Sequence, residues 1–241
     1  FGEADRLFAA DFGLQLLHQL VLCLLGGHAA HIDIDVSGDG DVLGVVNEND
    51  LTGQMAALAL IHLKVEFLEI KEEHSDYVFA EAAIIGRDAA NHLSTFTLNK
   101  GSADGISVND PVIYGKYLVG VVASVTPTRC TVNTILNPKV NVGAYEIRTR
   151  DLGFVSSTVA LAQDGYCHMP GLSTETAVTS GGIVCTSGVG GIYPRDLIIG
   201  TVIDIVNGTV DISASAVIKP GADLDTITDV FIITEFDGQN Q

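Results

Sequence analysis

The spacing of apolar positions divides the chain into three stretches. From Leu51 to Glu73, LTGQMAALALIHLKVEFLEIKEE, the residues Leu51, Leu58, Ile61, Val65 and Leu68 fall on an a/d spacing broken only at Gln54. The stretch contains no proline, and good helix formers run throughout, so it predicts a helix with a narrow apolar stripe. Each stripe residue contributes about 1.5–3 kcal/mol when buried, before entropy is subtracted. A stripe this narrow therefore serves equally to cover its own core or to zip to a second copy.

From Ala80 onward the period changes to that of a β-strand. Ser94 to Lys100, STFTLNK, alternates Phe96 and Leu98 with Thr95, Thr97 and Asn99, as a half-buried strand does. Further β-rich runs follow at 111–114, 117–125, 131–136, 140–145, 153–160, 182–186, 198–206, 213–219 and 230–234. Turn signals such as Asp104-Gly105, Asn137-Pro138 and Pro220-Gly221 separate them. Many short strands with no amphipathic helix between them predict a mainly β fold of antiparallel barrels or sandwiches.

Composition narrows the classes. Thirty acidic against twelve basic residues give a net charge of −18, which repels a phosphate backbone and argues against a nucleic-acid partner. Lys116, Arg129, Lys139, Arg148 and Arg150 concentrate positive charge in 101–150, and are expected to lie on a solvated barrel face. Cys23, Cys130, Cys167 and Cys185 have no C-x-x-C spacing, which argues against zinc or a redox pair. The longest apolar run, Leu14 to Gly27, falls short of the roughly twenty residues of a membrane span.

The glycine-rich run TSGGIVCTSGVGGIYPRD, Thr179 to Asp196, is the first place to look for chemistry. A trypsin-like hydrolase reading takes Ser180 or Ser187 as nucleophile and requires a histidine within hydrogen-bond reach. Thr179 stands before Ser180 where that family carries an acid, and no local context marks a histidine. A dinucleotide loop needs a helix after its glycines, whereas Gly188-Val189-Gly190-Gly191 leads into Pro194 and a Val/Ile-rich strand. No Gly-Lys-Ser/Thr is present to form a Walker loop there. Asp33, Asp35 and Asp39 in HIDIDVSGDGDVLG imitate a calcium loop, but Gly44 replaces its last glutamate, so an acidic turn is the expected outcome. These readings leave no catalytic residue, cofactor or metal.

The segments Gly105 to Val125 and Thr176 to Ile205 share an order of parts: a turn, a Val/Ile strand, a glycine corner, and an apolar strand with one internal glycine, Gly120 or Gly200. Two such units predict two small barrels, with that glycine placed where a strand bends or another backbone comes close.

Four blocks then carry a resemblance: IIGRDAANHLSTFTLNKGSADGISVNDPVI, LVGVVASVTPTRCTVNTILNP, TSGVGGIYPRDLIIGTV and IKPGADLDTITDVFII. In order and spacing they resemble the rod shape-determining MreC family, over about Glu66 to Thr234. The resemblance implies two β-barrels after a coiled-coil-like helix, divided as a helix 46–75, a first barrel 76–160 with strands shared between halves, a second barrel 161–236 and a tail 237–241, whereas residues 1–45 depart from the family as an atypical acidic leader and are left unassigned. It implies a non-enzymatic scaffold of the cell-elongation machinery on the outer face of the membrane. Such a scaffold maintains cell shape by self-associating and by binding and activating the class B penicillin-binding protein of elongation, alongside MreD and the MreB-linked complex. By position, Leu58, Ile61, Val65 and Leu68 fall on the self-association helix. Gly188, Gly190, Gly191, Pro194 and Gly200 match the signature corner of the second barrel, with Asp196 where many relatives have glycine. The family's membrane helix is not evident in residues 1–45, which are expected to be a truncated or misread start. The Tyr193-Pro194-Arg195 tip is expected to be exposed.

Overall fold

A computed structural model of the chain describes residues 77–87, 94–173, 175–207 and 213–239. The a/d helix, with Leu58, Ile61, Val65 and Leu68, and the Asp33, Asp35 and Asp39 turn lie outside the described residues. No helix among the described residues is long and apolar enough to cross a membrane.

Among the described residues twelve strands follow one another: β1 (Val78–Arg87), β2 (Thr95–Leu98), β3 (Pro111–Tyr114), β4 (Tyr117–Val125), β5 (Cys130–Thr134), β6 (Val142–Glu146), β7 (Leu152–Val155), β8 (Cys167–Ser173), β9 (Ile183–Thr186), β10 (Ile198–Asn207), β11 (Ser213–Pro220) and β12 (Asp229–Glu235). Their pairings close two rings. The first runs β3-β12-β1-β2-β5-β4 and returns to β3, every neighbour antiparallel. The second runs β7-β6-β9-β10-β11-β8 and is completed by a bridge between Ser156 and His168, whose backbones exchange hydrogen bonds of 2.9 and 3.0 Å. Closure into barrels removes the open edges that a sandwich would leave.

The rings divide the chain differently from the expected boundary at residue 160. β6 and β7 pair with β9 and with each other, so the second ring begins at Val142, and β12 returns from the far end of the chain to close the first. Strand periodicity carries no information about which strand lies beside which, so this division is invisible to pattern reading.

Within each ring the alternating positions face inward. In the first, Phe96 opposes Val132 and Leu98 opposes Cys130, all fully or almost fully buried. The expected strand 153–160 ends at Val155, and α1 (Val159–Gln163) takes over, because the Thr158 hydroxyl accepts the Leu161 N–H at 3.2 Å as an N-cap. β1 and β8 were not distinguished by pattern. β1 runs Ala82-Ala83-Ile84-Ile85 without alternation, and β8 contains Pro170-Gly171.

The two barrels repeat one irregularity. β4 and β5 slip register between Val122 and Ser124, and β10 and β11 slip between Val202 and Asp204. Each slip begins two residues after the internal glycine, Gly120 or Gly200. At both positions the neighbouring strand lies so close that a Cβ would stand 2.2 Å from the Asn133 carbonyl oxygen or 2.1 Å from that of Lys219. The internal repeat is thus a shared bend in which two backbones touch. The barrels meet where Ile198 of β10 pairs in parallel with Tyr117 of β4, and the Tyr117 ring lies against Gly221, leaving no room there for a Cβ.

Candidate functional site

The signature corner joins β9 to β10. Gly188, Gly190 and Gly191 adopt φ of 75°, 90° and 62°, a left-handed turn that L side chains rarely adopt. Thr186, fully buried, fixes both ends of the loop: its hydroxyl donates to the Pro194 carbonyl at 2.6 Å and accepts the Leu197 N–H at 2.9 Å. Asp196 also has positive φ, 72°, which aspartate tolerates better than most residues, so this substitution keeps the turn that glycine would make. It adds a carboxylate that accepts a short hydrogen bond from the Tyr145 hydroxyl. Gly200 lies beyond the loop in β10, at the close approach to β11.

The tip differs from expectation. Tyr193 and Pro194 are buried, and only Arg195 and Asp196 reach solvent. Burial pushes the Tyr193 phenol well above its usual range. The loop lines two cavities with the first barrel. One, of about 290 Å³, lies between Tyr193 and the Phe236-Asp237-Gly238 segment after β12. The other, of about 210 Å³, lies between Gly191-Ile192 and the corner at Ser107 to Asp110. The tip therefore lies on the side of the second barrel that faces the first.

Polar groups around the corner are used structurally. Glu146, fully buried at the end of β6, accepts the Thr149 N–H at 2.7 Å, the Arg148 N–H at 3.1 Å and Arg148 Nε at 3.3 Å. Desolvation pushes its carboxyl up, but the bonds from Thr149 and Arg148 outweigh it and hold the group below the usual range. Asp110, nearly inaccessible just before β3, accepts the Ser107 N–H at 2.8 Å through Oδ2, while Oδ1 has no partner among the described residues. Burial pushes its carboxyl up to about 6 against that one bond. Replacing Tyr145 by phenylalanine removes the hydrogen bond to Asp196 and is expected to lower stability by about 1 kcal/mol, read from the denaturant midpoint. An unchanged midpoint would show that solvent and Arg195, 3.4 Å from Asp196, already satisfy that carboxylate.

Among the described residues no hydrolase geometry is assembled. His168 lies in β8, and among the described residues no hydrogen bond joins it to Ser180 or Ser187. The Ser187 hydroxyl instead accepts the Val189 N–H at 3.4 Å. Cys130, Cys167 and Cys185 are buried free thiols, each raised by desolvation, to about 11, 12 and 11. No group of three metal-ligating side chains occurs among the described residues. Of the five basic residues in 101–150, Arg148 and Arg150 share the β6–β7 turn, while Lys116, Arg129 and Lys139 lie on separate turns.

Sequence reading missed the outward pair Leu152 and Phe154, exposed on β7 while Val155 faces the core. The signal was present: apolar residues at consecutive strand positions place bulk on both faces, and only one face can serve the barrel interior.

Comparison with known proteins bears on the whole barrel pair. The family model described as "Rod shape-determining protein MreC, barrel core" matches residues 84–234. The cell shape-determining protein MreC of Listeria monocytogenes is 26% identical over 169 residues, which span 70% of this chain and 57% of the relative. A solved structure of MreC from Listeria monocytogenes, 26% identical, superposes with a TM-score of 0.59 and covers 75% of this chain and 90% of that chain. A structure solved as a complex between penicillin-binding protein PBP2 and MreC from Helicobacter pylori shares the fold at 15% identity and TM-score 0.51, covering 66% of this chain and 99% of that chain. With the barrel core matched from β1 to β12, this chain belongs to the MreC family of rod shape-determining proteins.

Proposed function

We propose that this protein is a non-enzymatic scaffold of cell elongation, acting on the extracytoplasmic face of the membrane. It self-associates through the a/d helix, binds and activates a class B penicillin-binding protein of elongation, and works with MreD and the MreB-linked complex. The observation that carries this reading is the family match across both barrels. Two features support it: a relative was solved in complex with a penicillin-binding protein, and the buried polar side chains Thr186 and Glu146 are engaged in holding turns.

The test is co-purification of the full chain with the elongation transpeptidase of the same organism, together with sedimentation of the wild type and of Ile61→Glu and Val65→Glu. A glutamate in a paired apolar seam is costly to bury without a partner, so both variants are expected to sediment as smaller species. Wild-type sedimentation of both would sink the helix role. Absence of the transpeptidase from the purified wild type would sink the scaffold reading.

A further inference from the structure

Where the barrels face each other, a buried carboxylate stands beside a cavity with no cation to balance it. The corner Ser107 to Asp110 of the first barrel faces Gly191 and Ile192 of the second across about 210 Å³, with Thr234 and Gln239 alongside. Asp110 is 1% exposed, and its Oδ1 has no partner among the described residues. Every other residue lining the cavity is uncharged. From β5 the titratable group acting on Asp110 is the Cys130 thiol, neutral because burial and the carboxylate itself push it up to about 11. Arg129 beside it in the chain is exposed. Ahead of the corner, Lys100 and Asp104 pair with each other at 3.0 Å, as Arg195 and Asp196 do at 3.4 Å beyond the facing turn. At the end of β12, Glu235 and Asp237 are exposed and carry the same sign as the carboxylate.

An ionised carboxylate with a single donor is costly to keep out of water, which is why burial raises this one. Water in the adjacent cavity is the ready source of further donors, but Oδ1 is closed to solvent. The corner must therefore turn before Oδ1 is hydrated. Its backbone is tied to β4 on one side: the Asn109 N–H donates to the Val122 carbonyl and the Val122 N–H to the Asp110 carbonyl, both at 2.9 Å. On the other side, among the described residues, no hydrogen bond joins the corner to the 188–192 turn. The side that gives is the one toward the second barrel. Asn109 moreover holds φ of 75°, a left-handed conformation that a residue other than glycine keeps only while its surroundings impose it.

We propose that the Ser107–Asp110 corner is a proton-controlled contact between the barrels: with Asp110 protonated it closes on the Gly191-Ile192 turn, and with Asp110 ionised it turns into the cavity, hydrates the carboxylate and loosens that contact. The closed form prevails below about pH 6 and the loosened form above it. The chain has no tryptophan, so Val108→Trp and Ile192→Trp each place a single fluorophore on one wall of the cavity, at positions 51% and 38% exposed that leave room for a larger side chain. Acrylamide quenching of each full-length variant, with and without Asp110→Asn, is followed from about pH 4.5 to about pH 7.5. Both reporters are expected to become more accessible as pH rises, along one titration with its midpoint near 6, and Asp110→Asn is expected to hold both at the acid-form value throughout. Flat profiles in both reporters, or quenching greatest in acid, overturn the proposal. A titration that survives Asp110→Asn belongs to another group and overturns it as well. A response in one reporter without the other places the movement within a single barrel and overturns the contact. Hydrogen exchange of the chain without tryptophan, compared with Asp110→Asn at each pH, reads the same two segments independently, and equal protection in both proteins above pH 6 overturns the proposal.

Discussion

Gly200→Val is expected to cost about 3 kcal/mol or more, lowering the melting temperature of a chain of this size by roughly 6–12 °C. The cause is space. A Cβ at this position would stand 2.1 Å from the Lys219 carbonyl oxygen and 3.0 Å from the Pro220 Cα, both backbone atoms of the paired strand β11. A side chain can rotate away from a clash, but a ladder strand moves only by giving up its hydrogen bonds. Gly120→Val should reproduce the effect in the first barrel, where the obstructing atom is the Asn133 carbonyl oxygen at 2.2 Å. Gly190→Ala provides the contrast: φ is 90° and nothing lies within 4 Å, so only backbone strain opposes alanine, at about 1–2 kcal/mol. Calorimetry of the three variants decides the matter. If Gly200→Val costs no more than Gly190→Ala, close approach is not what the repeated glycine provides.

The second large effect is pH-dependent and arises at Asp110. Its folded carboxyl is pushed up to about 6 by burial, with Oδ1 unpartnered among the described residues, whereas an unfolded aspartate titrates near about 3.9. Between these values the folded chain holds the proton and the unfolded chain has released it, so stability from this group falls as pH rises through the window and stays low above it. Asp110→Asn keeps an oxygen for the Ser107 N–H and carries no charge. It is expected to be more stable than the wild type at pH 7 by about 1–3 kcal/mol, an advantage that shrinks below pH 6 and is absent below about pH 4. Denaturant unfolding of both proteins across that range checks it. A variant less stable than the wild type at pH 7 would mean that the charged carboxylate is satisfied in the folded chain. Because Asp110 lines the cavity beside Gly191 and Ile192, the same change tests whether the barrel contact tolerates a neutral amide there.

Much of the fold was legible in the order of residues, for physical reasons. Period-2 alternation such as Phe96 and Leu98 against threonines marks a strand wherever one face is buried, and most strands are found within a few residues of where that alternation predicts them. The repeated glycine was equally legible, because a residue without a Cβ inside an apolar strand marks a place where something must come near. β8 was not, since its proline and glycine interrupt the period; nor was α1, whose single turn depends on the Thr158 cap. The signature corner was visible as glycines and a proline, but its task was not. Tyr193 and Pro194 read as an exposed tip, yet they are buried because the first barrel's last strand returns beside them.

By itself the sequence determined that the chain after Ala80 is β, that its two halves share one bend, and that the family is MreC, because strand period, glycine placement and block order are local properties of the chain. Tertiary structure alone decided which strands close which ring, why Asp110 pays for burial while Glu146 is satisfied, and how the Ser107–Asp110 corner comes to face Gly191 and Ile192. Those outcomes depend on contacts between residues far apart in the chain, and only closure of the two rings creates them.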